Sequence, residues 1–217
     1  MKKLTHKIIK FNSNDSIFEV VADTFNIGKV HIHMHKYDES KSAGQKVTQA
    51  VDVFVSIDEA LVLCQDILTG NIPIRVKALK DKGEKYASAW QHLGGISATK
   101  LKEKQEYALK AGRKLEDLKP NQKSRPDGKS LSRVFKIVPS SRDSYAFTFQ
   151  AESGAGEEDS KGLIVPKYGT KPENRVFMPV TPEQAKAFAL KLNVCIQAYY
   201  NSKYVDKSDK DFYTDLK

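Results

Sequence analysis

Two segments of this chain repeat one pattern, a short apolar strand that runs directly into the start of a helix. Residues 53–60 read VFVSIDEA and residues 176–185 read VFMPVTPEQA. In each segment a hydroxyl side chain can cap the helix, and an acid or amide three residues later can close a capping box: Ser56 with Glu59, and Thr181 with Gln184. Each junction follows a stretch that reads as strands. We therefore expect an α+β fold with two repeated units of antiparallel β-strands followed by an α-helix.

Length and composition allow one medium domain or two small ones, since the chain has 217 residues with an ordinary globular balance of 40% apolar and 29% charged residues. We divide it into a first sheet-plus-helix unit (residues 1–76), a basic connecting segment that is partly helical (77–130), a second sheet-plus-helix unit (131–200) and a polar tail (201–217).

Alternation of apolar and polar residues marks the strands of the first unit. Val30, Ile32 and Met34 face one way in residues 29–37 and the histidines between them face the other way, which is the period of a half-buried strand. A helix follows over residues 57–68 and ends at Gly70, where glycine can take the left-handed cap conformation. We read residues 72–79 as a further strand.

The second unit carries an aromatic stripe, Tyr145, Phe147 and Phe149, on one face of a predicted strand. The stripe has two interpretations, a core that packs against the last helix (residues 182–200) or a platform on which unpaired bases stack. Residues 152–161, rich in Gly, Ser and acids, predict an exposed loop.

Membrane and secretory classes are disfavoured, because no apolar run reaches the length of a membrane span and no apolar stretch of signal-peptide length follows the basic N-terminus. The two cysteines, Cys64 and Cys195, fall at apolar positions of predicted helices and read as reduced core thiols. These features predict a cytoplasmic protein.

The positive charge of the chain is concentrated in its middle. The net charge is +9, and the segment from Lys77 to Lys136 holds 16 Lys or Arg against 7 Asp or Glu, which accounts for the whole excess. A local excess of this kind is typical of a polyanion-binding surface. The alternative is a solvated helix and linker whose lysines only add solubility.

Three groups of residues are candidate nucleic-acid contacts. Basic and aromatic side chains alternate after residue 77, a mixture in which ammonium groups follow phosphates and rings receive bases. The histidine strand and a basic loop supply the other two groups, and Arg133 completes the set. The full candidate set is Lys29, His31, His33, His35, Lys36, Lys77, Lys80, Lys82, Tyr86, Trp90, Lys123, Arg125 and Arg133, with Lys85 and Lys119 as neighbours.

We predict no metal, no cofactor and no catalytic residue. His31 and His33 lie on one face of a strand and can share an ion, but alternate residues on a strand are about 7 Å apart and no motif supplies the further ligands that zinc requires. Phosphate-binding loops, nucleophile elbows and dinucleotide fingerprints are absent from the sequence.

The order of strands and helix resembles the single-stranded nucleic-acid binders of the positive-cofactor-four coactivator family and the related plant Whirly proteins. The resemblance rests on residues 25–37, with the Val-x-Ile-x strand at Val30 and Ile32, and on the two strand-to-helix junctions. The Lys-Gly-Lys-Ala-Ala-Leu motif of the Whirly family is missing, and His33 stands where the coactivator family has a basic residue. The resemblance implies curved antiparallel sheets that cradle exposed bases, with Lys29, His33 and Lys36 as contacts.

The sequence therefore predicts a protein that binds single-stranded DNA or RNA with little sequence specificity, in replication, recombination or transcription of a cell, phage or mobile element. We expect no membrane partner, and homo-oligomers are a candidate assembly. The alternatives are a structural or interaction protein without a nucleic-acid role and a nucleic-acid-processing enzyme whose site the sequence disguises.

Overall fold

A computed structural model describes residues 7–211 except residues 43, 85 and 119, and it omits the side chains of residue 120 and of residues 204–211. The candidate contacts Lys85 and Lys119 thus lie outside the described residues. In chain order the elements are β1 (Lys7–Asn12), β2 (Ser16–Val21), β3 (Lys29–Tyr37), β4 (Val47–Ser56), α1 (Ile57–Leu68), α2 (Asn71–Asp81), β5 (Trp90–Ile96), α3 (Ala98–Lys110), β6 (Ser130–Val138), β7 (Phe147–Glu158), β8 (Ile164–Pro166), β9 (Asn174–Val180) and α4 (Pro182–Asp211).

The protein has an α+β fold with two antiparallel sheets, as the sequence predicts. The first sheet has the order β1-β2-β3-β4. In the second sheet β5, β6, β7 and β8 follow one another, and β9 pairs with β7. The strand β5 lies inside the segment that we divided off as the connector, yet it pairs along its whole length with β6. The second sheet therefore begins well before residue 131.

Both strand-to-helix junctions are capped as the sequence predicts. The Ser56 hydroxyl accepts from the Glu59 N–H while the Glu59 carboxylate accepts from the Ser56 N–H. At the second junction the Thr181 N–H donates to Gln184 Oε1 at 3.0 Å, and the Gln184 N–H donates to Thr181 Oγ1 at 3.2 Å. Each box satisfies backbone donors that a helix start otherwise leaves free. Gly70 has a φ of 87°, in agreement with its predicted role as a cap.

The two sheets and the helices α1 and α4 share a single hydrophobic core. Phe18 and Ile32 contribute from the first sheet, Phe135 and Phe149 from the second, and Phe188 from α4, and all five side chains are buried. The Phe18 ring contacts the rings of Phe135, Phe149 and Phe188. The halves of the chain therefore stabilise each other.

The predicted strand at residues 72–79 is wrong, because these residues form α2. Ile72 and Val76 are the buried residues of this helix and lie one turn apart, while Ile74 is exposed. The β-branched composition suggested a strand, but a four-residue apolar spacing with Pro73 in the first turn is a helical pattern.

The predicted loop at residues 152–161 is also mostly strand, because β7 continues to Glu158 and is buried through Gly156. Glycine is required here by close packing. A Cβ on Gly156 would lie 2.9 Å from Ile164 Cγ2 and 2.9 Å from the Ser132 nitrogen. The composition of the segment reflects this close approach of chains rather than a mobile loop.

Two helices lie in parts of the chain that the sequence describes only coarsely. The N-cap of α3, in the connecting segment, is Ser97, whose hydroxyl accepts from the Lys100 N–H. The last helix extends beyond Tyr200 to Asp211. Among the described residues, none of the helices combines the length and the apolar composition that a membrane span requires.

Candidate nucleic-acid interface

A polar groove of about 990 Å³ runs between the β1–β2 turn, the β6–β7 loop and the outer side of β9, and we call it the β9 groove. Alternation along β9 explains its floor. Val176, Met178 and Val180 point into the core, so Arg175 and Phe177 point outward. The residues of the groove used below are Lys36, Arg142, Tyr145, Lys171, Arg175 and Phe177.

Aromatic rings are accessible in this groove. Phe177 is 42% exposed although it lies within a strand, and it pairs across the sheet with Gln150. Tyr145, at the end of the β6–β7 loop, is half-buried beside it. An exposed phenylalanine leaves apolar area in contact with water, which costs free energy unless another molecule covers it.

A smaller apolar pocket of about 460 Å³ extends the groove, and it shares Ser140, Ser141, Phe177 and Pro179 with the groove lining. Tyr86 also lines this pocket and is 89% exposed. Lys80 lies there as well, 3.5 Å from Asp143. The groove and the pocket thus form one surface on which two aromatic rings, Phe177 and Tyr86, are exposed and a third, Tyr145, is half-buried.

Cations surround these rings. Within the described residues, Arg142 and Lys171 have no salt-bridge partner, and Lys36 lies 3.3 Å from Asp15. Arg175 is held in place by Glu152, to which its Nε donates at 2.6 Å. Four basic side chains therefore line the groove, and they come from β3, the β6–β7 loop, the segment before β9, and β9 itself.

The carboxylate that fixes Arg175 belongs to a buried network. Glu152 also accepts from Lys136 Nζ at 2.7 Å and from Gln150 Nε2 at 2.7 Å. Burial by itself raises the pKa of the Glu152 carboxyl, but the hydrogen bonds and charges of Lys136 and Arg175 outweigh burial and lower it. Arg175 is consequently a fixed charge at the floor of the groove.

A second groove, of about 890 Å³, lies at the opposite end of the second sheet, and Lys29, Lys100, Lys104 and Arg133 line it. Its aromatic residue is Phe54, whose ring already contacts His31, with centroids 4.6 Å apart, and the Arg133 guanidinium, 5.7 Å away. This groove offers positive charge but no exposed aromatic ring, so it is poorly suited to base stacking.

The three strand histidines lie on the face of the first sheet that points away from the core, next to carboxylates. Asp52 of β4 pairs with His33 of β3, and Asp52 Oδ1 is 2.6 Å from His33 Nδ1 and 3.0 Å from His31 Nε2. Asp23 is 3.1 Å from the other nitrogen of His31. These carboxylates disfavour a phosphate at the same place, since like charges repel.

The charges of this cluster shift its pKa values. Burial lowers the pKa of His31, but the hydrogen bond to Asp52 and the charges of Asp23 and Asp52 outweigh burial and raise it. Burial raises the pKa of Asp52, but hydrogen bonds from His31 and His33 lower it well below its usual range. The pKa of His35 is lowered by burial and by the charge of His33.

The structure distributes the candidate contacts over several surfaces. Lys36, Lys80 and Tyr86 lie on the joined groove and pocket, and Lys29 lines the second groove. Lys77 and Lys82 are exposed on α2 and at its C-cap. Lys123 lines a small pocket with Arg125.

Three of the candidate residues make hydrogen bonds or packing contacts within the protein or are buried in it. Arg125 donates to both Asp127 and Glu173, and these acceptors raise the pKa of its guanidinium. Arg133 is 6% exposed beneath the second groove. Trp90 packs edge-on against Phe135, with ring centroids 6.0 Å apart.

The aromatic stripe is divided between the two interpretations that the sequence allows. Phe147 and Phe149 are fully buried and belong to the core, whereas Tyr145 precedes β7 and lines the β9 groove. Sequence reasoning missed Phe177, Arg142, Lys171 and Arg175. The signal for Phe177 was present, because placing its neighbours Val176 and Met178 in the core leaves the ring facing outward.

Comparisons with known proteins find a similar backbone arrangement in a solved structure, and they assign the chain to no family. No family model matches the sequence, and no curated protein is similar to it. Among solved structures the chain is similar to the crystal structure of WHY3 from Arabidopsis thaliana, with a TM-score of 0.46, 10% identity and coverage of 99% of both chains. At that score and identity, no function can be transferred from one chain to the other.

Proposed function

We propose that this protein binds single-stranded DNA or RNA with little sequence specificity and that the strand lies along the β9 groove. The observation that carries the proposal is the coincidence of exposed aromatic rings and basic side chains on one concave surface. Phe177 and Tyr86 supply the most exposed rings, and Arg142 and Lys171 supply cations with no salt-bridge partner among the described residues.

Stacking provides the preference for unpaired bases. A base can lie on Phe177 only when its own face is free, and in a duplex both faces are covered by neighbouring base pairs. Base-aromatic stacking contributes about 1–3 kcal/mol per base and depends little on base identity. The strand is therefore selected for being single rather than for its sequence.

Phosphate contacts provide the rest of the affinity. Arg142, Lys171 and Lys36 come from separate segments and line the same groove, so they can contact different phosphates of one strand. Contacts of this kind position the backbone and carry no sequence information. They also make binding weaker as salt rises, because counterions are no longer released into dilute solution.

Fluorescence anisotropy with a labelled oligonucleotide tests the proposal. We expect the wild-type protein to bind a single strand more tightly than the matching duplex. Phe177→Ala should weaken binding of the single strand by about 1–3 kcal/mol, or roughly 5- to 150-fold in Kd. Tyr168→Ala is the matched control, because Tyr168 is 94% exposed but lines neither the groove nor the adjoining pocket.

Three results would contradict the proposal. One is the absence of binding to any single strand at low salt. Another is an equal affinity for single strand and duplex. The last is a Phe177→Ala variant that folds normally and binds as the wild-type protein does. Circular dichroism of each variant establishes folding, and the 42% exposure of Phe177 makes a large loss of stability unexpected.

The proposal assigns a binding role and no catalytic step. A place in replication, recombination or transcription stays a prediction, since each of these processes exposes single strands and the groove has no feature that distinguishes among them. Incubating labelled DNA with the protein and divalent cations checks the absence of an activity, and cleavage would point to an enzyme instead.

Self-association is also part of the proposal. Leu190 and Val194 are 53% and 62% exposed and lie one turn apart on the outer face of α4. Burial of this apolar pair against a second copy would remove it from water. Light scattering of the wild-type protein and of Val194→Lys checks this, and a monomer at all concentrations would exclude it.

A further inference from the structure

We propose that His31, His33 and Asp52 form a binding site for one divalent transition-metal ion of the zinc class on the outer face of the first sheet. One ring nitrogen of His31, one of His33 and one carboxylate oxygen of Asp52 all lie within 4.8 Å of one another. The site is distinct from the β9 groove, and it does not depend on nucleic-acid binding.

The sheet register places the three ligands together. His31 and His33 are alternate residues of β3 and share a face, and Asp52 of β4 is the direct cross-strand partner of His33. The paired strands are antiparallel, so the Asp52 carboxylate reaches both imidazoles, with oxygen-to-nitrogen distances of 3.0 Å to His31 and 2.6 Å to His33. The three donors sit on paired strands of a sheet, which is a rigid support.

The distances suit an ion after a small adjustment. Tetrahedral zinc with bonds of about 2.0–2.2 Å holds its ligand atoms roughly 3.3–3.6 Å apart. An ion between His33 Nδ1 and the Asp52 oxygen therefore requires them to separate by about 0.7–1.0 Å. The side chains of His33 and Asp52 are 29% and 30% exposed, so solvent can supply the remaining ligand positions and ions can enter.

A further carboxylate orients one of the ligands. The Asp23 oxygens are 3.1 and 3.2 Å from His31 Nδ1. When His31 Nδ1 carries a proton and donates it to Asp23, His31 Nε2 is left with a free lone pair that points toward Asp52. Metal-bound histidines commonly have this arrangement, with the second nitrogen donating to a carboxylate.

Donor chemistry selects the class of ion. Two imidazole nitrogens with one carboxylate suit zinc and its first-row neighbours, whereas magnesium and calcium prefer sites made only of oxygen. The ion would take the place of the hydrogen bonds that now join the two ring nitrogens to the Asp52 carboxylate.

Metal titration of the untagged full-length protein, stripped with a chelator, tests the site. In competition with a chromophoric chelator we expect one Zn²⁺ to bind per chain. We also expect one Co²⁺ per chain, with the visible absorption bands that are typical of Co²⁺ at a low coordination number. Zn²⁺ should raise Tm, because an ion that binds only the folded state stabilises it. Mg²⁺ should not compete.

Single substitutions locate the ion. His33→Gln and Asp52→Asn should each weaken Zn²⁺ binding at least about 10-fold, and Asp23→Asn about 10- to 100-fold. His92→Gln is the matched control, because His92 is also a histidine beside a carboxylate, with its Nδ1 3.2 Å from Glu59, but it lies elsewhere. Its Zn²⁺ affinity should equal that of the wild-type protein.

Two outcomes would overturn the proposal. The first is a wild-type protein that takes up no stoichiometric Zn²⁺ or Co²⁺. The second is Zn²⁺ bound with unchanged affinity by both His33→Gln and Asp52→Asn, which would place the ion elsewhere. Circular dichroism of the metal-free variants separates loss of ligand from loss of fold. If Asp52→Asn does not fold, His33→Gln by itself decides the question.

Discussion

Phe18 of the first sheet stacks on Phe149 of the second sheet, with ring centroids 4.7 Å apart and planes only 11° from parallel. Both rings are fully buried. The contact joins the two sheets at the centre of their common core. Neither sheet can lose its structure without exposing the apolar face of the other.

Phe149→Ala should therefore destabilise the whole protein, by about 3–5 kcal/mol in the free energy of unfolding. Urea unfolding, followed both by the fluorescence of Trp90 and by far-UV circular dichroism, measures this loss. Trp90 reports on the second sheet, whereas circular dichroism reports on all elements. Because the two sheets share one core, we expect one transition with the same midpoint for both signals. Separate transitions would show that the two sheets unfold independently.

Removal of charge from the β9 groove should change the salt dependence of binding. For Arg142→Gln with Lys171→Gln, we expect weaker binding to a single strand and a slope of log K against log salt that is smaller by about 0.7 for each lost phosphate contact. The measurement is a salt titration of oligonucleotide affinity.

The second groove provides the matched control for this charge experiment. Lys100→Gln with Lys104→Gln removes the same number of charges from the other groove, and its salt slope should equal that of the wild-type protein. A salt slope that changes only in the variant with Lys100→Gln and Lys104→Gln would instead place the bound strand in the second groove.

Gly95 and Gly94 are neighbours in β5 that should respond differently to alanine. A Cβ on Gly95 would overlap the Leu131 carbonyl oxygen and would lie 2.6 Å from Ile164 Cγ2. A Cβ on Gly94 meets nothing closer than His92 Nε2 at 3.4 Å. Gly95→Ala should cost about 1–3 kcal/mol through overpacking, and Gly94→Ala much less. Equal values of Tm for the two variants would contradict this account of the packing.

The Glu152 network should make stability depend on pH in the acid range. Its folded-state pKa is lowered, so its contribution is complete above the unfolded value of about 4.3 and is lost as the pH falls through the folded value. Glu152→Gln lacks this contribution. The difference in unfolding free energy between wild type and variant should be largest near neutral pH and should shrink below about pH 4.3. A difference that stays constant down to about pH 3 would show that the carboxylate charge contributes nothing.

Local patterns in the sequence predicted the parts of the fold that local interactions determine. The capping boxes at Ser56 and Thr181 depend on residues three apart, and the alternation in β3 depends on residues two apart. Both were readable without any knowledge of the tertiary structure. The error at α2 has the same origin, because β-branched residues occur in both strands and helices, and the burial of Ile72 and Val76 on one face decided between them.

The candidate sites were less predictable, because their residues are distant in the sequence. Phe177 and Arg142 share a groove only because β9 pairs with β7 while the loop before β7 folds over it. The concentration of lysines in the middle of the chain indicated a binding surface, yet of the basic residues lining the β9 groove none comes from that segment, and only Lys80 of the adjoining pocket does. The position of a charged residue in the sequence does not tell on which surface of the folded protein its side chain lies.

By itself the sequence determined the alternation of its strands, the starts of α1 and α4 and the α+β class, since each follows from neighbouring residues and the geometry of the backbone. The tertiary structure decided which side chains meet. It brought Asp52 to the two histidines through the register of β3 and β4, and it buried Arg133 while leaving Phe177 exposed. Pairing between strands is set by the packing of the entire core, and no short window of residues contains that information.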